Sequence, residues 1–207
     1  LFYHDDPDIA ASIIQACLDG GARCIEFTNR GDGAHLVFAE LVKHFKDDPR
    51  LILGAGTILD PATAALFLQL GANFIVGSNL NPDVARLCNR RMVSYTPGCA
   101  TTTEISNAQE LGAEICKIFP GEELGGPAFV QAVRGPLPWS RLMPTGGVNP
   151  DQENVSAWIK AGVACLGMGS KLISGKLVAA GDYPSITATV RQVMEWIKEA
   201  RAGKPVL

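Results

Sequence analysis

The chain has 207 residues, 47% of them hydrophobic and 19% charged, with a formal net charge of −3. That is ordinary globular composition for one domain, 1–207, with a good-sized core. The slight negative charge offers no footprint for nucleic acid, and no apolar stretch approaches the roughly 20 residues of a membrane span, so a small-molecule partner is expected.

The chain opens on Leu1-Phe2-Tyr3-His4 rather than on a charged, then greasy, leader, which points to the cytoplasm. A few residues of the first strand are expected to precede Leu1. The six cysteines are not needed as disulfides in a chain of this length. Cys24, Cys116 and Cys165 lie in apolar runs and read as reduced core thiols. No Cys-x-x-Cys occurs, and His4, His35 and His44 form no metal-ligand motif, which disfavours zinc or iron chemistry.

Short apolar runs alternate with amphipathic stretches of about ten to fifteen residues, the rhythm of βαβ units and a parallel sheet. A first strand at 1–3 is followed by a helix that Asp5 or Asp6 caps, with Pro7 in its first turn and Ile9, Ile13, Ala16 and Cys17 on one face. Residues 23–28 form a second strand, and a glycine loop at 31–33 leads to a helix through Leu36, Phe38, Leu41, Val42 and Phe45. Strand three spans 51–55. Asp60-Pro61 starts the next helix, 73–77 is strand four, Asn81-Pro82 starts a short helix and 92–96 is strand five. Thr101 to Thr103 can cap a helix that runs to Leu111. Residues 114–121 hold strand six, a helix follows near 127–133, and strand seven lies at 141–144. Asn149-Pro150-Asp151 caps a helix to Ala161, 164–168 is strand eight, and 185–200 closes the chain as a helix with Ile186, Val190, Val193 and Ile197 inward.

Gly21-Ala22, Gly71-Ala72, Gly112-Ala113 and Gly162-Val163 recur at helix ends before even-numbered strands, each glycine serving as a left-handed stop. Eight βα units predict a compact α/β fold, a TIM (β/α)8 barrel in a single domain. A doubly wound open sheet is the alternative, but the first crossover lacks the Gly-x-Gly-x-x-Gly of a dinucleotide site.

Strand six carries one lysine. Alternation puts Ile115, Lys117 and Phe119 on one face, and a buried ammonium either pairs or loses its proton. Losing the proton makes Lys117 a nucleophile for carbonyl carbon; the alternative is a lysine that snorkels to the strand end. On strand two, Cys24, Glu26 and Thr28 share a face, and a buried Glu26 finds its partner in Lys117 if both enter the barrel. A purely structural ion pair is the other reading. Gly54-Ala55-Gly56-Thr57, Thr96-Pro97-Gly98, Pro144-Thr145-Gly146-Gly147 and Gly167-Met168-Gly169-Ser170 close four strands at the catalytic face. Amides after strands seven and eight are where this fold places a phosphate, which makes Gly146, Gly147, Gly169 and Ser170 the expected anion site.

These motifs, with Ile25-Glu26-Phe27-Thr28, Lys117-Ile118-Phe119-Pro120-Gly121-Glu122 and Val148, resemble those of the 2-keto-3-deoxy-6-phosphogluconate and 4-hydroxy-2-oxoglutarate aldolases, in order over nearly the whole chain. The resemblance implies a metal-free class I aldolase, with Lys117 as the Schiff-base residue and Glu26 as general acid/base. It further implies that Arg30 and Thr57 bind the pyruvate carboxylate, that Pro97 and Phe119 line the pocket and that Thr145 touches substrate. Gly146, Gly147 and Ser170 would hold the distal phosphate, and the enzyme would be a homotrimer with no cofactor beyond the imine on Lys117. Some relatives carry an arginine near the position of Phe2-Tyr3-His4.

The implied reaction is cleavage of 2-keto-3-deoxy-6-phosphogluconate to pyruvate and glyceraldehyde 3-phosphate, with the galactonate epimer and 4-hydroxy-2-oxoglutarate as variants. A metal-free phosphate-binding isomerase or epimerase, and a non-catalytic sugar-phosphate binder, are the other classes. An imine separates them from the aldolase. Burial lowers the Lys117 pKa and a nearby carboxylate raises it; which effect wins is left to the fold.

Overall fold

The structure, a computed structural model, describes residues 1–202. The last five residues of the expected domain, 203–207, lie outside the described residues. In chain order the elements are α1 (Pro7–Asp19), β1 (Cys24–Thr28), α2 (Ala34–His44), β2 (Ile52–Gly56), α3 (Pro61–Gln69), β3 (Phe74–Val76), α4 (Pro82–Arg91) and β4 (Ser94–Thr96). There follow β5 (Gly98–Cys99), α5 (Thr102–Glu110), β6 (Cys116–Ile118), α6 (Gly126–Arg134), β7 (Leu142–Pro144), α7 (Gln152–Ala161), α8 (Gly175–Ala179) and α9 (Tyr183–Arg201).

Helix starts obey side-chain chemistry. Asp6, Asp60, Asn81, Thr101, Asp151 and Asp182 each accept from a first-turn amide, as capping requires. At α5 the bond is reciprocated, because Glu104 accepts from the Ala100 amide at 2.8 Å and from the Thr101 hydroxyl at 3.0 Å.

The strands form a ring of parallel neighbours. β1 through β4 pair in order, as do β5 through β7. β4 and β5 are one strand interrupted at Pro97: Thr96 accepts from the Gly77 amide at 3.1 Å on one side, and Pro97 accepts from the Lys117 amide at 2.8 Å on the other. The expected first and eighth strands are reduced to bridges, Phe2 with Phe27 and Thr145 with Gly167. The Leu1 amine donates to the Met168 carbonyl at 2.6 Å and closes the ring. The fold is the TIM-like (β/α)8 barrel expected of the sequence, and its C-terminal strand ends form one face.

The outer core lies between the strands and the helices. Phe27 meets Phe2, Tyr3 and Phe38 there, with ring centroids 5.6, 5.7 and 6.3 Å away, and Phe38 stacks edge-on with Phe67 at 5.1 Å. Because Phe27 faces the helices, Glu26 and Thr28 face the lumen. Of the apolar residues through which the sequence ran α2, Leu36 is 64% exposed, and Val37 is buried beside Phe38. Cys24, read as a core thiol, is exposed at the start of β1, outside the packed layers, whereas Cys116 is buried. The short α8 after the eighth strand position carried no signal strong enough to predict it.

The recurring glycines have left-handed φ, at 100° for Gly21, 102° for Gly71, 88° for Gly112 and 96° for Gly162. Met92 occupies the equivalent place after α4 with φ 53°, so it ends a helix rather than opening the fifth strand. Its side chain is 91% exposed and contributes little packing. Met92→Gly is therefore expected to stabilise the protein by about 0.5–1 kcal/mol, read as a higher urea midpoint. A lower midpoint would mean that Met92 packs more than its exposure indicates.

Candidate active site

Lys117 sits in the middle of β6. Its neighbour Cys116 points outward, where its thiol lies 3.9 Å from the Ile105 carbonyl of α5, so Lys117 points into the lumen. It is only 6% exposed and does not snorkel. Glu26, 7% exposed, enters the same lumen from β1. Among the described residues no ion pair within 4.0 Å joins the two, although the Glu26 charge is felt at Lys117. The amine instead lies 5.2 Å from the centre of the Phe119 ring. Glu26 Oε1 is buried without a hydrogen-bond partner. Buried polar atoms without partners are rare, and this one faces the lumen beside the lysine.

Burial pushes the Lys117 pKa below the ordinary 10.5, the Arg30 guanidinium pushes it the same way, and the Glu26 carboxylate opposes them. Burial is the largest cause. In the competition left open by the sequence, desolvation outweighs the carboxylate, and the shift is toward the neutral, nucleophilic amine.

The other predicted residues gather at the same face. Arg30 is exposed on the loop after β1, and its charge is felt at Lys117. Thr57 follows β2 with φ 60°, a strained conformation for a β-branched residue of the kind that clusters at functional sites. Pro97 is buried at the break between β4 and β5, and Phe119 is 38% exposed at the end of β6. Thr145, just past β7, is 7% exposed, and its hydroxyl is buried without a partner. Gly146 and Gly147 take φ of 89° and 73°, so their amides turn where an ordinary residue would be strained. Among the described residues, the amides of Gly146, Gly147, Gly169 and Ser170 are given to no backbone carbonyl. Backbone amides at glycine-rich strand ends are the kind of donor an anion site uses.

Two residues escaped the sequence reading. A Cβ on Gly56 would strike the Glu26 carboxylate, and one on Gly167 would strike the Thr145 hydroxyl. Both contacts cross between strands, and a strand-end glycine alone does not announce them. Among the described residues no group of three or more His, Cys, Asp or Glu side chains is placed to hold a metal ion. Two clefts of about 280 and 780 Å³ lie on the helical exterior around α1, α2 and α9, and no candidate residue lines either.

The arrangement, a lysine whose pKa burial lowers and a buried carboxylate in one lumen with glycine-rich strand ends at its rim, suits covalent chemistry on a keto acid with an anionic tail. The comparisons with known proteins agree with it. The family model described as KDPG and KHG aldolase matches residues 2–189. The 2-dehydro-3-deoxy-phosphogluconate aldolase of Treponema pallidum is 34% identical over 90% of this chain and 86% of its own. The KHG/KDPG aldolase of Escherichia coli K12 is 32% identical over 91% of this chain and 86% of its own. A solved structure described as native KDPGal superposes with a TM-score of 0.85 at 29% identity, covering 96% of this chain and 93% of that one. With this match to nearly the whole barrel, and with the lysine and glutamate facing each other inside it, the chain belongs to the KDPG and KHG aldolase family.

Proposed function

We propose that the protein is a class I aldolase that cleaves 2-keto-3-deoxy-6-phosphogluconate to pyruvate and glyceraldehyde 3-phosphate through an imine on Lys117. The observation that carries this reading is the burial of Lys117, which lowers its pKa toward the neutral amine, in one lumen with the buried carboxylate of Glu26. The neutral amine attacks the C2 keto carbon, and loss of the carbinolamine hydroxyl as water, with one proton taken up from solvent and returned at the final hydrolysis, gives the protonated imine. As Glu26 takes the proton of the 4-hydroxyl, the C3–C4 bond breaks. Its electron pair moves into the imine to leave an enamine, and the aldehyde departs. The proton now on Glu26 goes to C3 of the enamine, and hydrolysis of the resulting imine releases pyruvate and the free lysine. The imine itself is the electron sink, so the chemistry needs no metal.

Arg30 and Thr57 bind the pyruvate carboxylate, with the Arg30 charge directed at the lumen. Pro97 and Phe119 wall the pyruvate end, Thr145 contacts the substrate with its unpaired hydroxyl, and Gly146, Gly147, Gly169 and Ser170 hold the phosphate on their backbone amides. Thr57→Gly is expected to relieve strain and stabilise the fold by about 1 kcal/mol, while loss of its hydroxyl raises KM about tenfold. Lower stability with an unchanged KM would assign Thr57 a structural role instead.

The test of substrate is pyruvate release, followed continuously, from 2-keto-3-deoxy-6-phosphogluconate, its galactonate epimer and 4-hydroxy-2-oxoglutarate. The proposal expects the gluconate compound to be turned over with the highest kcat/KM. A preference for the epimer, or for the unphosphorylated acid, would move the assignment within the family, and pyruvate from none of them would remove the aldolase.

We place the enzyme in the cytoplasm as a single-domain homotrimer without nucleic-acid or membrane partners. Its six free cysteines suit a reducing compartment. Among the described residues no helix is long and apolar enough to cross a membrane. Leu36, Leu59 and Leu66 are 64%, 49% and 41% exposed on and beside α2 and α3, a surface suited to burial between subunits. Light scattering is expected to give three times the 21.9 kDa of one chain. A mass of one chain would contradict the trimer.

A further inference from the structure

We infer that Gly56 is a positioning residue for proton transfer: the space its missing side chain leaves is the seat of the Glu26 carboxylate. The inference rests on the aldolase reading of Glu26 given above.

Gly56 ends β2, beside β1, with Thr28 as its register partner. Its φ lies outside the left-handed region, so its backbone would accept any residue. The reason for glycine is therefore space. The three atoms nearest to a Cβ built there all belong to Glu26: Oε1, then Cδ at 2.5 Å and Cγ at 2.6 Å. Other glycines at the strand ends have different neighbours. A Cβ on Gly98 would enter the Ser78 backbone, one on Gly54 the Phe74 ring, and one on Gly121 would come within 2.9 Å of the Gly146 carbonyl oxygen. Those three serve packing. At Gly56 the obstruction is one flexible side chain from its Cγ outward, the one assigned to move the proton.

A methyl group at this position has two separable consequences. The fold tolerates it, because Glu26 can rotate away from a lumen in which its Oε1 has no hydrogen bond to lose. Catalysis does not, because a displacement of about 1 Å in a reacting group costs on the order of 100-fold. Lys117 lies on β6, across the ring from Gly56, so imine formation is spared while both proton transfers by Glu26 suffer.

The experiment compares Gly56→Ala, Glu26→Ala and the double variant with the parent. Turnover, borohydride trapping of pyruvate on Lys117, and exchange of the pyruvate methyl protons with deuterium are each measured. Gly56→Ala is expected to retain trapping and its melting temperature, and to lose about 100-fold in both turnover and exchange. Glu26→Ala removes Cγ and the carboxylate together, so the new methyl meets nothing there and has no proton carrier left to displace. The double variant is therefore expected to be at least about tenfold faster than the product of the two single effects.

Effects that simply multiply would overturn the inference, as would exchange in Gly56→Ala at the parent rate. Loss of folding in Gly56→Ala would also overturn it, because a movable side chain would then not be the obstruction. Should Glu26→Gln, made alongside, turn over substrate at the parent rate, the assignment of Glu26 itself is at fault. That outcome is distinct from a Glu26-dependent enzyme indifferent to Gly56.

Discussion

Lys117→Met is expected to lower turnover by roughly 10⁵-fold or more, because among the described residues no other lysine is buried and the electron sink disappears with the imine. The same substitution is expected to leave the barrel intact and to raise its stability by about 1 kcal/mol, since a cation that burial disfavours is replaced by an apolar chain of similar length.

The sign of the accompanying pH effect follows from the direction of the pKa shift. Folding holds the Lys117 pKa below the ordinary 10.5. Between the lowered value and 10.5 the unfolded chain binds a proton that the folded chain does not, so stability rises with pH across that window. Below the window the full cost of burying the charge is present. Urea melts at several pH values are expected to show this rise in the parent and not in Lys117→Met. Equal slopes in the two proteins would mean that the buried amine is not the group responsible.

Glu26→Gln is expected to separate binding from proton transfer. Imine formation requires a neutral amine, and the Glu26 carboxylate is the one charge that resists neutrality, holding the Lys117 pKa up against burial and Arg30. Removing it lowers that pKa further, so the acid limb of pyruvate imine formation moves to lower pH. Turnover nevertheless falls by about 10²–10⁴-fold, because the 4-hydroxyl proton and the C3 proton have lost their carrier. Single-turnover kinetics with pyruvate and with the full substrate would reveal both effects. An acid limb that moves to higher pH would contradict the charge arrangement, and unimpaired turnover would remove Glu26 from the mechanism.

Much of this was legible in the residues because it depends on local chemistry. Asp6, Asp60, Asn81, Thr101 and Asp151 mark helix starts by their side chains, and Gly21, Gly71, Gly112 and Gly162 mark helix stops by their freedom at positive φ. One lysine in an apolar strand and one glutamate at the lumen parity of another marked the candidate centre, and both are buried in the structure. What stayed hidden depends on contacts between distant segments. Met92 makes the same left-handed turn as the glycines because its helix must stop there, although its side chain does not favour that conformation. The strain at Thr57, the seat that Gly56 gives Glu26 and the exposure of Leu36 arise only when β1, β2 and the helices are docked. The balance of burial against the Glu26 charge at Lys117 is of the same kind, since it depends on how much water the closed barrel admits.

The central claim is that Lys117 is the covalent residue, and borohydride reduction in the presence of pyruvate tests it most directly. The account predicts a reduced pyruvate adduct on the peptide that contains Lys117, and none on the same peptide from Lys117→Met. A folded protein that binds pyruvate yet carries no adduct, or carries it on another lysine, would contradict the account.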